Sequence, residues 1–197
     1  PAWVTSLTVT DGMASPTLSI SISSIMAAHS WSFARNGSAS LFFIMATRHI
    51  KRATENEGFL EGKLLIALPG MTDDRFQQTV IYMCAHSAEG AMGIVINKPI
   101  PGLSFSSLMD QLEITTNARQ GDFPVLFGGP VENSRGFVLH SNDYESTEAT
   151  LPVSEQISLT ATVDILCALA EGRGPKRAIL ALGYAGWGPG QVESEFQ

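Results

Sequence analysis

Val80-Ile81-Tyr82-Met83-Cys84-Ala85-His86, then Ser87 to Gly93 with two glycines, then Ile94-Val95-Ile96, is the stretch whose reading decides the fold. Two β-rich runs separated by a short glycine-containing segment predict a hairpin, so the chain contains antiparallel sheet. Asn97-Lys98-Pro99 ends the second run. Upstream, Leu64-Leu65-Ile66-Ala67-Leu68 is a short apolar run stopped by Pro69-Gly70, as a buried strand is. Thr72 with Asp73 and Asp74 marks a short helix or turn.

Downstream, Leu103 to Ile114 gives the clearest helical pattern. Phe105, Leu108, Met109 and Leu112 form one apolar stripe, Ser104 is a good N-cap, and Leu103 can pack on Leu108. Val125-Leu126-Phe127 reads as a strand cut off by Gly128-Gly129-Pro130, and Gly136 to His140 as another. Leu159 to Ala170 reads as a second helix, with Val163, Leu166, Cys167 and Ala170 on one face, closed by Gly172 and Gly174-Pro175. Ala178 to Leu182 reads as the last strand. It runs into a glycine-rich turn, Gly183 to Gly190, and then a helix start at Gln191 to Phe196. A hairpin followed by strands and helices in mixed order argues for α+β rather than a regular βαβ repeat.

The composition is that of a packed globular protein, with 44% hydrophobic and 16% charged residues. From Phe59 onward there are eight basic and sixteen acidic side chains, and the helix at Leu103–Ile114 has no Lys or Arg. Direct DNA binding, which draws its affinity from clustered cations, ranks last among the functions weighed. The two cysteines, Cys84 and Cys167, read as buried thiols in a reducing compartment. No run reaches the ~20 apolar residues of a membrane-spanning helix.

Residues 1–57 differ from the rest. Pro1 to Ile44 hold ten serines and only two charged side chains, Asp11 and Arg35. No basic residue precedes Leu18–Met26, which disfavours a secretory signal, and Arg is scarce for a transit peptide. The reading favoured is a non-native or disordered leader, with Met45 as a natural start and little fixed structure before Gly58. Residues 58–197 form the domain.

Four constellations could carry chemistry. Cys84 and His86, at i and i+2 on a strand, would share a face and could form an activated thiolate. The alternative, a buried thiol beside a strand-end histidine, is favoured. His86 and His140 each end an apolar strand and precede a serine; on neighbouring strands they could hold a metal with Asp143 or Glu89. Two hydrogen-bonded strand-end histidines are the favoured alternative, and no metal site is assigned. The turn Gly183–Gly190 has the strand–glycine–helix order of a phosphate cradle, but Trp187, Pro189, Glu193 and Glu195 argue against phosphate. It reads as a shaped surface with Trp187 as one apolar wall. Gly128-Gly129-Pro130 reads as a tight strand exit.

Five stretches together resemble the AlgH/YqgE family, a widespread bacterial family with no assigned biochemical function. They are Gly62–Met71, Gly90–Pro99, Phe127–Val131, Gly136–Ser141 and Leu182–Gln191, in the family's order. The resemblance implies a single domain with a bifurcated, partly barrel-like mixed sheet surrounded by helices, and a cytoplasmic protein. It also implies that the chain stops short of the family's usual C-terminus. The family has been described as transcriptional regulators; no catalytic residue, cofactor or DNA-binding motif comes with it.

The function expected is a binding or regulatory module working through a protein partner or a small molecule. Its candidate cleft is Asn97, Gly128, Gly129, His140, Trp187 and Gln191, if those turns meet. The alternative is a metal-assisted or His-dependent hydrolase. The reading leans away from an enzyme and assigns no cofactor.

Overall fold

The structure is a computed structural model and describes residues 3–5, 59–116, 121–144 and 149–195. Among these residues the strands are β1 (Trp3–Thr5), β2 (Leu64–Ala67), β3 (Val80–Ser87), β4 (Gly90–Val95), β5 (Pro99–Ser104), β6 (Pro124–Phe127), β7 (Val131–Ser141), β8 (Thr150–Pro152), β9 (Ile157–Thr160) and β10 (Ala178–Trp187). The helices are α1 (Phe105–Gln111), α2 (Val163–Ala170) and α3 (Gln191–Glu195). The class is α+β, as the hairpin predicts. No described helix is long and apolar enough to cross a membrane.

The sheet runs β1-β2-β3-β4-β10-β7-β9-β8, with β6 joining β10 from the side and β5 pairing with β6. Strand β10 is where it forks. Along one of its edges β7 pairs antiparallel from Ala178 to Tyr184. Along the other, Ala181 and Leu182 pair in parallel with β6, and then Ala185 to Trp187 pair antiparallel with β4. One strand therefore serves two sheet arms in succession.

The fork is made by glycine. Gly128, Gly129 and Gly183 meet backbone to backbone. A Cβ at Gly128 would collide with the Gly183 carbonyl, and one at Gly129 with the Tyr184 backbone. Gly129 (φ 154°) and Gly183 (φ 76°) also lie where L side chains are strained. Backbone bonds complete the joint: Val95 N–H donates to the Gly128 carbonyl, and Gly128 N–H to the Leu182 carbonyl.

Three apolar clusters fill the spaces between arms and helices. Tyr82, Cys84, Phe137, Leu139 and Leu159 form the first. Phe105, Leu108, Met109, Leu166 and Leu180 form the second, under α1 and α2. Leu65, Ile81, Met83, Trp187 and Val192 form the third, under α3. Alternation along the strands sorts side chains among them: Ala181 faces the first, Leu180 and Leu182 the second. Beyond the fork, Ala185 and Trp187 face the third.

The structure corrects several boundaries. Helix α1 is shorter than Leu103–Ile114, because Glu113 takes a left-handed backbone (φ 57°) and ends it. Its Ser104 cap is present as a reciprocal box with Ser107. Leu159 belongs not to a helix but to β9, which pairs with β7 and β8; α2 starts only at Val163. The buried residues of α2 are Ile165, Leu166, Ala168, Leu169 and Ala170, so Val163 and Cys167 lie at the margin of the packed face. Gly183 to Trp187 is strand, not turn; the turn is only Gly188–Gly190. Within the leader, Trp3–Thr5 is a strand on β2, which the expectation of little fixed structure before Gly58 does not foresee. Residues 6–58 lie outside the described residues.

Candidate functional site

The residues expected to form one cleft separate into four places. Gly128 and Gly129 are buried in the fork. Asn97 lies just past β4 and acts as a clamp. Its Oδ1 accepts from Val80 N–H at 2.8 Å and its Nδ2 donates to the Gln78 carbonyl at 2.8 Å. Those bonds hold the start of β3 and support the left-handed Gln78 (φ 55°). His140 pairs with Ala178 at the start of β10, whereas Trp187 ends that strand. Nine residues of strand separate the two levels, roughly 30 Å.

Trp187 and Gln191 do meet. Trp187 is buried in the third cluster, and its indole Nε1–H donates to Glu195 Oε2 at 3.2 Å. Gln191 Nε2 donates to Glu195 Oε1 at 3.0 Å, and Gln191 Oε1 accepts from Gly188 N–H at 3.0 Å. A carboxylate thus bridges the indole and the amide, and the amide closes the turn Gly188–Gly190. Gln191 and Glu193 are exposed beside them.

His86 adjoins this cluster. Register places it opposite Ala91, and Ala91 opposite Trp187. Its side chain is 1% exposed. Nδ1 accepts from Leu60 N–H at 3.0 Å, which leaves Nε2 to carry the proton and donate to Glu193 Oε1 at 2.9 Å. The Phe59 ring packs edge-on at 5.1 Å. His86 therefore ties the segment before β2, the end of β3 and helix α3 together.

Cys84 does not share that face. The β3–β4 register shifts between Met83 and Ala85, a bulge that puts the consecutive residues Cys84 and Ala85 into the same first cluster. His86 is thereby turned to the other face, with Leu60 and α3. Cys84 itself is fully buried, and burial pushes its thiol pKa up, away from a thiolate.

His140 sits in a neutral hydrogen-bond chain. Nδ1–H donates to the Ser141 carbonyl at 2.9 Å, and Nε2 accepts from Thr160 Oγ1 at 2.9 Å. Thr160 Oγ1 in turn lies 2.8 Å from Thr150 Oγ1. Burial holds the imidazole below its ordinary pKa, opposed by the bond to Ser141 and the nearby Asp143 carboxylate. Asp143 is occupied by the Ser141 hydroxyl at 2.6 Å and the Lys176 N–H. The two histidines stand at opposite ends of the sheet and cannot share a metal. Among the described residues no group of three His, Cys, Asp or Glu is placed to hold one.

The sequence reading missed the roles of Glu193 and Glu195, which it used only to argue against phosphate. The contact from His86 to Glu193 spans 107 residues, and no local pattern announces it.

Comparison with known proteins agrees with this architecture. A family model described as AlgH-like (DUF179) matches residues 64–197. A UPF0301 protein of Methylobacterium sp. (strain 4-46) is 57% identical over 147 residues, spanning 71% of this chain and 70% of that protein. A UPF0301 protein of Rhodopseudomonas palustris (strain BisB18) is 59% identical over 146 residues, spanning 71% and 68%. The solution structure of the AlgH protein from Pseudomonas aeruginosa matches with a TM-score of 0.61 at 40% identity, over 73% of this chain and 75% of that one. The crystal structure of protein DIP2367 from Corynebacterium diphtheriae matches with a TM-score of 0.54 at 16% identity, over 73% and 74%, a likeness of fold alone.

Proposed function

The chain belongs to the AlgH-like family, UPF0301, and from that premise we propose that it is a cytoplasmic binding or regulatory module rather than an enzyme. It acts through a protein partner or a small molecule, and its contact surface is the corner formed by Trp187, the Gly188–Gly190 turn and α3. One observation carries this reading. The candidate residues that converge, Trp187 and Gln191, are locked by Glu195 into a fixed surface that offers exposed amide and carboxylate groups. Fixed polar groups held over a buried indole suit recognition, because little side-chain freedom is lost on binding. The acidic balance of the domain favours partners other than duplex DNA.

The hydrolase alternative gains nothing from the geometry. Its Cys–His pair is split by the bulge, its histidine pair is split by the length of β10, and both nitrogens of each imidazole are engaged.

Native mass spectrometry of the full chain, purified from a bacterial host, tests the proposal. The expected result is retained extra mass, or a defined complex, that is lost in Gln191→Ala while the fold persists. Retention unchanged in both Gln191→Ala and Trp187→Phe would remove this corner as the contact surface.

A further inference from the structure

The outer edge of β2 carries a guest. The family-matched region begins at Leu64, the first residue of β2, and nothing described within that region pairs with its outer side. The edge is taken instead by Trp3–Thr5, whose one strand partner among the described residues is β2, with Trp3 opposite Ala67, Val4 opposite Ile66 and Thr5 opposite Leu65.

Backbone alternation fixes which groups meet. Ala67 N–H donates to the Thr79 carbonyl and Met83 N–H to the Lys63 carbonyl, so Lys63, Leu65 and Ala67 face β3. Leu64 and Ile66 therefore present their N–H and C=O groups outward. Val4 and Ile66 form the pair that exchanges two backbone bonds across the edge. The edge itself is fixed by the core, since Leu65 and Ala67 are buried in the third cluster. The guest is short, three residues on one side of one strand. A core-anchored row of outward donors and acceptors, closed by a short strand from elsewhere in the chain, is the geometry of β-strand addition.

We infer that the outer edge of β2 is a docking site for an extended peptide segment, and that its occupant is the chain's own Trp3–Thr5, held as a separable strand rather than as an integral part of the sheet. The inference is independent of the Trp187–Gln191 surface.

Residue-resolved amide hydrogen exchange on the full chain tests it. In the unmodified chain the Ile66 amide is protected. In Val4→Pro, which cannot supply the Val4 N–H to Ile66 or continue a paired strand there, Ile66 exchanges about tenfold faster or more, the loss of one backbone bond. Leu65 and Ala67, bonded to β3, keep their protection. A synthetic peptide with the sequence of residues 1–8, added to Val4→Pro, restores protection at Ile66; the same peptide with proline at its fourth position does not. The inference is overturned if Ile66 exchanges freely in the unmodified chain, if Val4→Pro leaves it unchanged, or if the peptide fails to restore it. Loss at Leu65 and Ala67 together with Ile66 would make Trp3–Thr5 an integral strand rather than a guest. Protection that falls on dilution would make the occupant a second copy's strand and overturn the assignment within one chain.

Discussion

The two buried histidines stand at opposite ends of β10 and are held in opposite ways. His140 lies among neutral partners, a backbone carbonyl and a threonine hydroxyl, so its environment favours the uncharged ring. His86 is equally enclosed, but its second nitrogen faces the carboxylate of Glu193, whose side chain is 47% exposed. The first histidine is sealed into the sheet. The second is a link between the sheet and a short surface helix. Burial alone does not sort structural from functional polar groups; the character and exposure of the partner does. By that measure the His140 end belongs to the stability of the fold, and the His86 end to whatever α3 does.

The largest effect should come from the joint that couples the two ends. Gly129→Ala puts a methyl group into the Tyr184 backbone at a φ of 154°. Backbone, unlike a flexible side chain, has no room to yield. We expect a loss of about 4 kcal/mol or more, the range of severe core strain. Both ends should fail together, read as simultaneous loss of amide protection in β7 and β4. Unfolding confined to one arm would show that the fork is not a single cooperative unit.

The His140 end should respond next. His140→Ala removes the ring from the Ser141 carbonyl and from the Thr160 hydroxyl, which keeps Thr150, and opens a cavity, at a cost of about 2–3 kcal/mol. Urea midpoints measure it. The pH dependence has a definite sign. Burial holds the folded-state pKa of His140 below its ordinary value near 6.5. The unfolded chain therefore takes up a proton that the folded chain refuses, so stability falls as pH drops below about 6.5 and levels off once the folded ring also protonates. His140→Gln should flatten that slope relative to the unmodified chain. An unchanged slope would mean that some other group controls it.

Much of this contrast was hidden in the sequence for one physical reason. The hairpin at Val80–Ile96 and the Ser104 cap of α1 are set by neighbours in the chain, and both were legible. Trp187 and Gln191 lie within a turn of each other, so their meeting was legible too. The continuation of β10 through Gly183 and Gly186 was not, because a glycine in a strand reads as a break unless the facing backbone is known; Gly183 faces Gly128-Gly129, and Gly186 pairs with Met92 on β4. The face expected to be shared by Cys84 and His86 does not form, because the strand period of two assumes no bulge; the favoured reading of a buried thiol beside a strand-end histidine holds. The short strands β9 and β8 are defined by pairing in turn onto β7, β9 directly and β8 through β9, and the run from Leu159 has apolar spacing that also suits a helix. The contact between His86 and Glu193 joins the middle of the chain to its last described helix, so only the fold reveals it.

The smallest effect should sharpen the contrast most. Glu193→Ala removes a half-exposed carboxylate from a buried imidazole. The acceptor is solvated in both states, but the buried Nε2–H loses its partner, so the net loss should be about 1–2 kcal/mol. The change should be local. Ser194 N–H, in α3, donates to the carbonyl of Gly190 just before it, and its exchange should quicken while amides around His140 stay as they were. His86→Ala should release α3 as well, and should also free the Leu60 N–H from its acceptor, loosening the segment that leads into β2. If Glu193→Ala spreads protection loss to Leu60 without touching the global midpoint, the imidazole depends on its carboxylate for orientation and the link passes through the ring. If only α3 loosens, the imidazole is held by Leu60 and Phe59, and the helix is free to move without disturbing the sheet. That second outcome is the one a contact surface built on α3 requires, since a partner could then reposition the helix at small cost to the fold.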